Sequence, residues 1–236
     1  MVESYEIPSI DRREVLRYLG YTGQPLTPEL DARIDEVVAS CLSIARPRGC
    51  VRVFDVDEAA STWEGSEACV RLEGSALRLE GTSISAHLAG ARAVGVMAVT
   101  IGMGIERELR RLALTDTVAQ VIFDSAASTT VERAADAAEA SLMAAAHARG
   151  LYTNSRFSPG YGDLPMSTQP ALLATLDAQR RLGITLTSTL LMTPTKSVTA
   201  LVGLFDAPQP SLRPSCAGCL CFDFCSIRPT GRTCRD

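Results

Sequence analysis

Residues 156–165 read RFSPGYGDLP, and residues 184–204, after a helical run, read ITLTSTLLMTPTKSVTALVGL. Ile184–Leu191 and Ser197–Leu204 are rich in Thr, Leu and Val, a strand composition, and MTPTKS between them has the length of a hairpin loop. In the shorter stretch, Pro159-Gly160 suits the centre of a type II turn, where glycine supplies the positive φ. Arg156 stands before that turn and Tyr161 directly after it. Together the two stretches predict a ligand loop mounted on a sheet.

Outward from there the periodicity alternates irregularly. Residues 3–10 read as an edge strand ended by Pro8. Asp11, with Glu14 as a capping-box-like partner, opens a helix over about 12–19 that stops at Gly20. A longer helix over about 28–45 carries Leu30, Ile34, Val37, Val38 and Cys41 at helical spacing, which makes Cys41 a small core residue. CVRVFDV (50–56) alternates as a strand, and 70–79 reads as one or two short strands around Gly74. A helix over about 83–91, capped by Ser83 or Ser85, carries His87. AVGVMAVTIG (93–102) is an unbroken apolar run of the length of a buried strand. The longest helical zone, alanine-rich, spans 115–149, and a further helix is expected over about 167–182. One hairpin and this irregular alternation predict an α+β domain, with a mixed or antiparallel sheet and helices packed around it, over a doubly wound parallel sheet.

The 236 residues are 46% hydrophobic and 21% charged, with a formal net charge of −4, so a basic nucleic-acid face is not expected. The first 20 residues are charged, with no secretory apolar core, and no window is apolar enough to span a membrane. A cytoplasmic location is expected. Gly102-Met103-Gly104 joins strand to helix in the way of a phosphate cradle, but GxGxxG and the P-loop lysine are absent, and tight packing explains the glycines as well. Glu132, Asp136 and Glu139 lie at i, i+4 and i+7, either as a solvated acidic face or with a glutamate aimed at an ammonium group.

Five of the eight cysteines crowd into the end of the chain: Cys216, Cys219, Cys221, Cys225 and Cys234, spaced C-x2-C-x-C-x3-C-x8-C. Such clustering points to metal or redox chemistry. The spacing is neither a repeated zinc-finger pair nor the ferredoxin run. An iron–sulfur cluster, zinc and switching thiols all remain open. Prolines between Asp206 and Pro214 make a stiff linker, which divides the chain into a domain over 1–208 and a Cys-rich tail over 209–236.

Arg156-Phe157-Ser158-Pro159-Gly160-Tyr161 resembles the Arg-Pro-x-Pro-Gly-Tyr loop of the reactivation (activation) domain of cobalamin-dependent methionine synthase. Residues 182–204 resemble that family's T-x-L-T-E-S-x-x-M-x-P-x-x-S-V-S segment, and EVLRYLGY (14–21) and 98–112 look like a short, stand-alone branch of the family. The resemblance implies that the loop binds S-adenosylmethionine. It gives Arg156 the ligand's carboxylate, the Ser158 backbone and Gly160 the adenosyl side, Tyr161 the pocket lining and Glu132 the amino group. Two departures stand out: Ser188 replaces a family glutamate, and Gly162-Asp163-Leu164 follows the tyrosine in place of Pro-Ala-Cys. The cobalamin-module signature Asp-x-His-x-x-Gly does not occur. The implied role is a stand-alone reactivation partner of a cobalamin-dependent methionine synthase or another corrinoid protein, working with a flavodoxin or ferredoxin as electron donor. The rival readings are a non-catalytic docking subunit of a truncated synthase with a zinc-binding tail and, last, an independent methyltransferase, for which no general base is evident.

Overall fold

The apolar run at 93–102 becomes the middle of a sheet covered on both faces, which is why no polar alternation interrupts it. The structure, a computed structural model, describes residues 2–209. In chain order the elements are β1 (Val2–Ser4), α1 (Arg12–Tyr18), α2 (Pro28–Ile44), β2 (Arg48–Asp55), β3 (Cys69–Arg71), β4 (Arg78–Glu80), α3 (Thr82–Leu88), β5 (Ala93–Thr100), α4 (Met103–Thr115), α5 (Thr117–His147), β6 (Tyr152–Thr153), α6 (Gln169–Leu176), α7 (Ala178–Leu182), β7 (Thr185–Leu186), β8 (Met192–Thr193) and β9 (Ser197–Phe205). The main sheet runs β1-β2-β5-β9-β6 and every neighbouring pair is antiparallel. All eight residues of β5 are buried. The α+β reading holds, and the sheet is antiparallel.

Each face of the sheet has its own core. One is filled from α2, α4 and α5, with Ile34, Cys41, Ile105 and Phe123 against Met97, Val99 and Val202. The other is filled from α3, α6, α7 and the β3–β4 pair, with Leu79, Ile84, Leu88, Leu172 and Leu176 against Val94, Val96 and Leu201. Alanines at 126, 127, 134, 135 and 138 on α5 are fully buried. They let this 31-residue helix lie close along the sheet. Gly95 belongs to the same fit: a Cβ there would lie 2.5 Å from Leu142 Cδ2. Cys41 is wholly buried, and burial pushes its thiol up to about 12, as fits a packing residue. A Cβ on Gly104 would come within 3.0 Å of Ile44 Cγ2, so packing accounts for that glycine. No helix of the described residues is long and apolar enough to cross a membrane.

Four local expectations are corrected. Ile184–Leu191 and Ser197–Leu204 do not form a hairpin with each other. Instead β9 pairs with β5, from Ala93↔Leu204 to Thr100↔Ser197, because its almost continuously buried side chains need cover on both faces. The hairpin that exists is the small β7–β8 pair, closed by Thr187 N donating to Leu191 O at 2.9 Å. The expected edge strand at 3–10 is paired only over Val2–Ser4, because its partner β2 is preceded by Pro47, which has no amide to donate. The single helix expected over 167–182 is a short 3-10 turn followed by α6 and α7. Left-handed Asp177 (φ 54°) restarts the helix so that Leu176 and Leu182 both reach the core. Asp11 does cap α1, accepting from Arg13 N at 2.8 Å, but the Glu14 carboxylate turns to Arg17 and does not close a capping box.

The link from β8 to β9 is pinned by polar contacts. Lys196 Nζ lies 2.9 Å from both Asp124 Oδ1 and Ser128 Oγ on α5, and Thr195 donates through N and Oγ1 to Glu106 on α4. Lys196→Met keeps the stem and removes the charge. It is expected to cost about 1–2 kcal/mol in urea unfolding, because the lysine is mostly buried while Asp124 can still turn to water.

Candidate functional site

The loop 154–163 runs along the outer edge of β9. Thr153 pairs with Leu204, and Phe157 bridges Leu201. Four steps of the loop therefore face three of β9, which makes a bulge of one residue. Arg156 and Phe157, neighbours in sequence, go to opposite faces. Phe157 packs into the core beneath α3. Arg156 reaches α5, where Glu132, Asp136 and Glu139 converge on its guanidinium. Nη2 is 3.0 Å from Asp136 Oδ1 and 3.4 Å from Glu132 Oε2, and Nε is 3.5 Å from Glu139 Oε2.

The acidic stripe read from spacing is thus neither free nor merely solvated: one cation and three carboxylates share it. Arg156 Nη1 is buried and has no hydrogen-bond partner. An unmet donor on a charged group is costly, and a carboxylate is the acceptor that suits it best. Burial pushes the Glu139 carboxyl above the ordinary glutamate range, with Asp136 adding to the push and Arg156 opposing it.

Glu132 and Asp136 also line a neighbouring cleft of about 530 Å³, together with Ser9, Asp11, Glu14, Tyr18 and Arg133; Arg156 lies behind these carboxylates and is not part of its lining. Its size is ordinary for a small-molecule site. The N-terminal segment that forms the far wall is tied down by Arg12, which pairs with Asp31 and Asp35 on α2. Asp11, Glu14 and Tyr18 gave no functional signal in the sequence, because only tertiary packing brings α1 to α5. A larger groove of about 620 Å³, bordered by Leu16, Leu26, Leu30 and Val121, has no charged side chain in its lining and offers nothing to a zwitterion.

The turn has the expected form. Tyr161 N donates to Ser158 O at 3.0 Å, and Gly160 sits between at φ 92°. A Cβ on Gly160 would meet Met166 Sδ at 2.9 Å. Ser158 is half-buried and Tyr161 is exposed, its ring edge-on to Phe157 at 6.2 Å. Arg156 and Glu132 are therefore brought together, while Ser158, Gly160 and Tyr161 lie further round the loop. His87 is a satisfied histidine: Nε2 lies 2.9 Å from Ser155 O, the ring packs at a tilt of 47° against Phe157 with centroids 5.0 Å apart, and burial holds its pKa below the ordinary value. Among the described residues no three His, Cys, Asp or Glu side chains are arranged so that they could hold a metal ion. Cys216, Cys219, Cys221, Cys225 and Cys234 lie outside them.

The chain is thus an antiparallel α+β domain whose bulged edge loop sets an arginine against three carboxylates of α5, beside a cleft of small-molecule size. The family described as "Vitamin B12 dependent methionine synthase, activation domain" matches residues 84–210, more than half of the chain. The chain belongs to that family. Its fold is similar to that in the crystal structure of the MetH reactivation domain bound to AdoHcy. That similarity has 15% sequence identity and a TM-score of 0.62, and it covers 100% of this chain and 86% of that one. No curated protein matches the chain.

Proposed function

We propose that this activation domain binds S-adenosylmethionine at Arg156 and the carboxylates around it and presents it to an inert cob(II)alamin, with a cobalamin-dependent methionine synthase or another corrinoid protein as the separate partner. The observation that carries this is Arg156: a cation with one unmet buried donor, set among three carboxylates. A zwitterionic amino acid needs that pairing of charges. In this reading the ligand's carboxylate goes to Arg156 and its ammonium group to Glu132. The backbone at Ser158 and Gly160, with the Tyr161 ring, takes the adenosyl side. AdoHcy is bound in the similar MetH reactivation domain, which supports the ligand class.

The chain's own contribution is binding and orientation, which bring a methyl donor and an acceptor into one geometry. The partner's cobalt supplies the redox and methyl-accepting chemistry, after one electron from a donor such as flavodoxin or ferredoxin. The proposal divides the chain into the domain at 1–208 and the tail at 209–236. It assigns an iron–sulfur cluster or zinc to the tail cysteines, on their spacing alone. Anaerobic iron, zinc and acid-labile sulfide assays test that part; a metal-free, colourless protein would sink it.

A second reading, a docking subunit that binds no donor, is favoured by the three carboxylates already on Arg156. Calorimetry separates the two. The first expects saturable heat with S-adenosylmethionine below millimolar concentration, together with recovery of a cobalt(II) partner to the methylated form. No heat at millimolar ligand would leave the docking reading.

A further inference from the structure

The loop that carries Arg156 and Tyr161 is fastened to both ends of one short helix. At the start of α3, Asp163 accepts three hydrogen bonds: Oδ2 from Thr82 N and Thr82 Oγ1, both at 2.7 Å, and Oδ1 from Ser83 N at 2.9 Å. The helix has no cap from its own neighbourhood, because the residue before it is Gly81, at φ 131°. The fit there is close: a Cβ on Gly81 would lie 2.4 Å from Asp163 Oδ1. At the other end, Asn154 Nδ2 donates to His87 O at 2.8 Å, and His87 Nε2–H donates to Ser155 O at 2.9 Å. Asn154 also accepts from Gly203 N at 2.8 Å, so it joins α3 to β9. Between the two ends runs the aromatic row His87, Phe157, Tyr161.

We propose that α3 is the template that holds loop 154–163 in its binding shape, and that Asp163 is the positioning residue that closes it. The inference rests on the reading that this loop binds S-adenosylmethionine. Past Phe157, apart from Asp163, the loop's recorded backbone bonds are its own: Tyr161 to Ser158, Gly160 to Leu164 and Leu164 to Tyr161. Side-chain packing of Phe157 and Pro159 on one side and of the buried Leu164 on the other fixes its base, while the Asp163 side chain fastens the exposed Gly160–Asp163 tip to α3. The dependence is mutual. Seven residues are too few to hold a helix in water, so the cap orders α3 while α3 orders the loop. Asp163 is one of the residues at which this loop departs from the family pattern quoted for it.

The three donors hold the Asp163 carboxyl down to about 2. A carboxyl depressed in this way keeps its stabilising role above its unfolded value and loses it only as pH falls through the folded one. The clasp should therefore be unchanged between pH 7 and 4.

The test compares Asp163→Ala with Asp163→Asn, since asparagine caps helices as well as aspartate does and alanine does not. Hydrogen exchange of the ligand-free protein is read over residues 155–165 and 82–88, and AdoHcy affinity is read by calorimetry. Asp163→Ala is expected to speed exchange in both segments and to weaken AdoHcy about tenfold, the equivalent of one lost cap. Asp163→Asn should restore most of both. After correction for intrinsic rates, exchange at the Thr82 and Ser83 amides, which are bonded to Asp163, should be the same at pH 4 and pH 7. Thr82→Val, which removes only the hydroxyl donor, gives a milder version should the alanine variant fail to fold. Faster exchange confined to 82–88 would overturn the proposal, as would unchanged AdoHcy affinity in Asp163→Ala. If the wild type binds no AdoHcy, the ligand reading fails, while exchange in 155–165 still decides whether α3 holds the loop.

Discussion

Arg156→Ala is expected to weaken S-adenosylmethionine and AdoHcy binding by at least about 100-fold, because it deletes a partly buried guanidinium that would take the ligand's carboxylate in a charge-assisted pair. Arg156→Lys should not rescue it. A point charge on a flexible stem cannot supply Nε to one carboxylate while offering Nη1 and Nη2 elsewhere. The variant also has a signature that needs no ligand. Without Arg156, three carboxylates remain on one helix face, and the Glu139 carboxyl, already pushed up by burial, rises further. A carboxyl with a folded-state pKa above its unfolded value makes the folded protein bind extra protons, so stability falls as pH rises through that range. Urea midpoints of Arg156→Ala should therefore fall more steeply than those of the wild type as pH climbs from the ordinary glutamate value of 4.5. Parallel slopes would mean that the guanidinium does not govern the cluster.

Phe123→Ala should be the most damaging single core change. Phe123 is fully buried on α5, in the core that joins α5 to α2 and the sheet. Removing its ring is expected to cost about 3–5 kcal/mol, the sum of lost transfer energy and the cavity left behind. That is a large share of a typical domain's stability, and it should lower the melting temperature by on the order of 10 °C. The core around it also holds Ile34, Val37, Cys41, Ile105 and Leu112, so the cost depends on how far these side chains can settle into the gap. Calorimetric melting of the full chain checks this. A loss well under 1 kcal/mol would show that α5 settles into the gap, contrary to the close fit along Gly95 and the buried alanines.

What could be read from the chain, and what could not, follows from the range of the interactions. Ala93–Thr100 was legible because a near-continuous apolar run of that length, bounded by glycines, allows little besides a buried strand. The long helix was legible from its alanine-rich run; in the structure Asp116 caps it by accepting from Ala119 N. The Pro159-Gly160 turn was legible because it is closed within four residues. Non-local pairing was not. Nothing in Ser197–Phe205 says that its partner is β5, about a hundred residues earlier, so the nearer run at 184–191 was the natural but mistaken choice. The left-handed Asp177 carries no sequence mark either.

The site shows the same division. Glu132, Asp136 and Glu139 announced a stripe by their spacing, but spacing within one helix cannot reveal that an arginine from a distant loop lies across it. Nor could it reveal that Ser9–Tyr18 supplies the opposite wall. Asp163 was noticed only as a departure from the family loop; that it caps a helix some eighty residues back is a fact of tertiary structure alone.

The one-residue bulge opposite β9 gives this edge a parity. Along an extended chain, odd and even positions face opposite ways, so sidedness is counted in single residues. Loss or gain of one residue between Thr153 and Arg156 would invert the count. It would turn the guanidinium toward the apolar side beneath α3 and the phenyl ring toward three carboxylates. A change of two residues would keep both on their proper sides at the cost of a longer or shorter loop. Length variation at this edge is therefore constrained in steps of two.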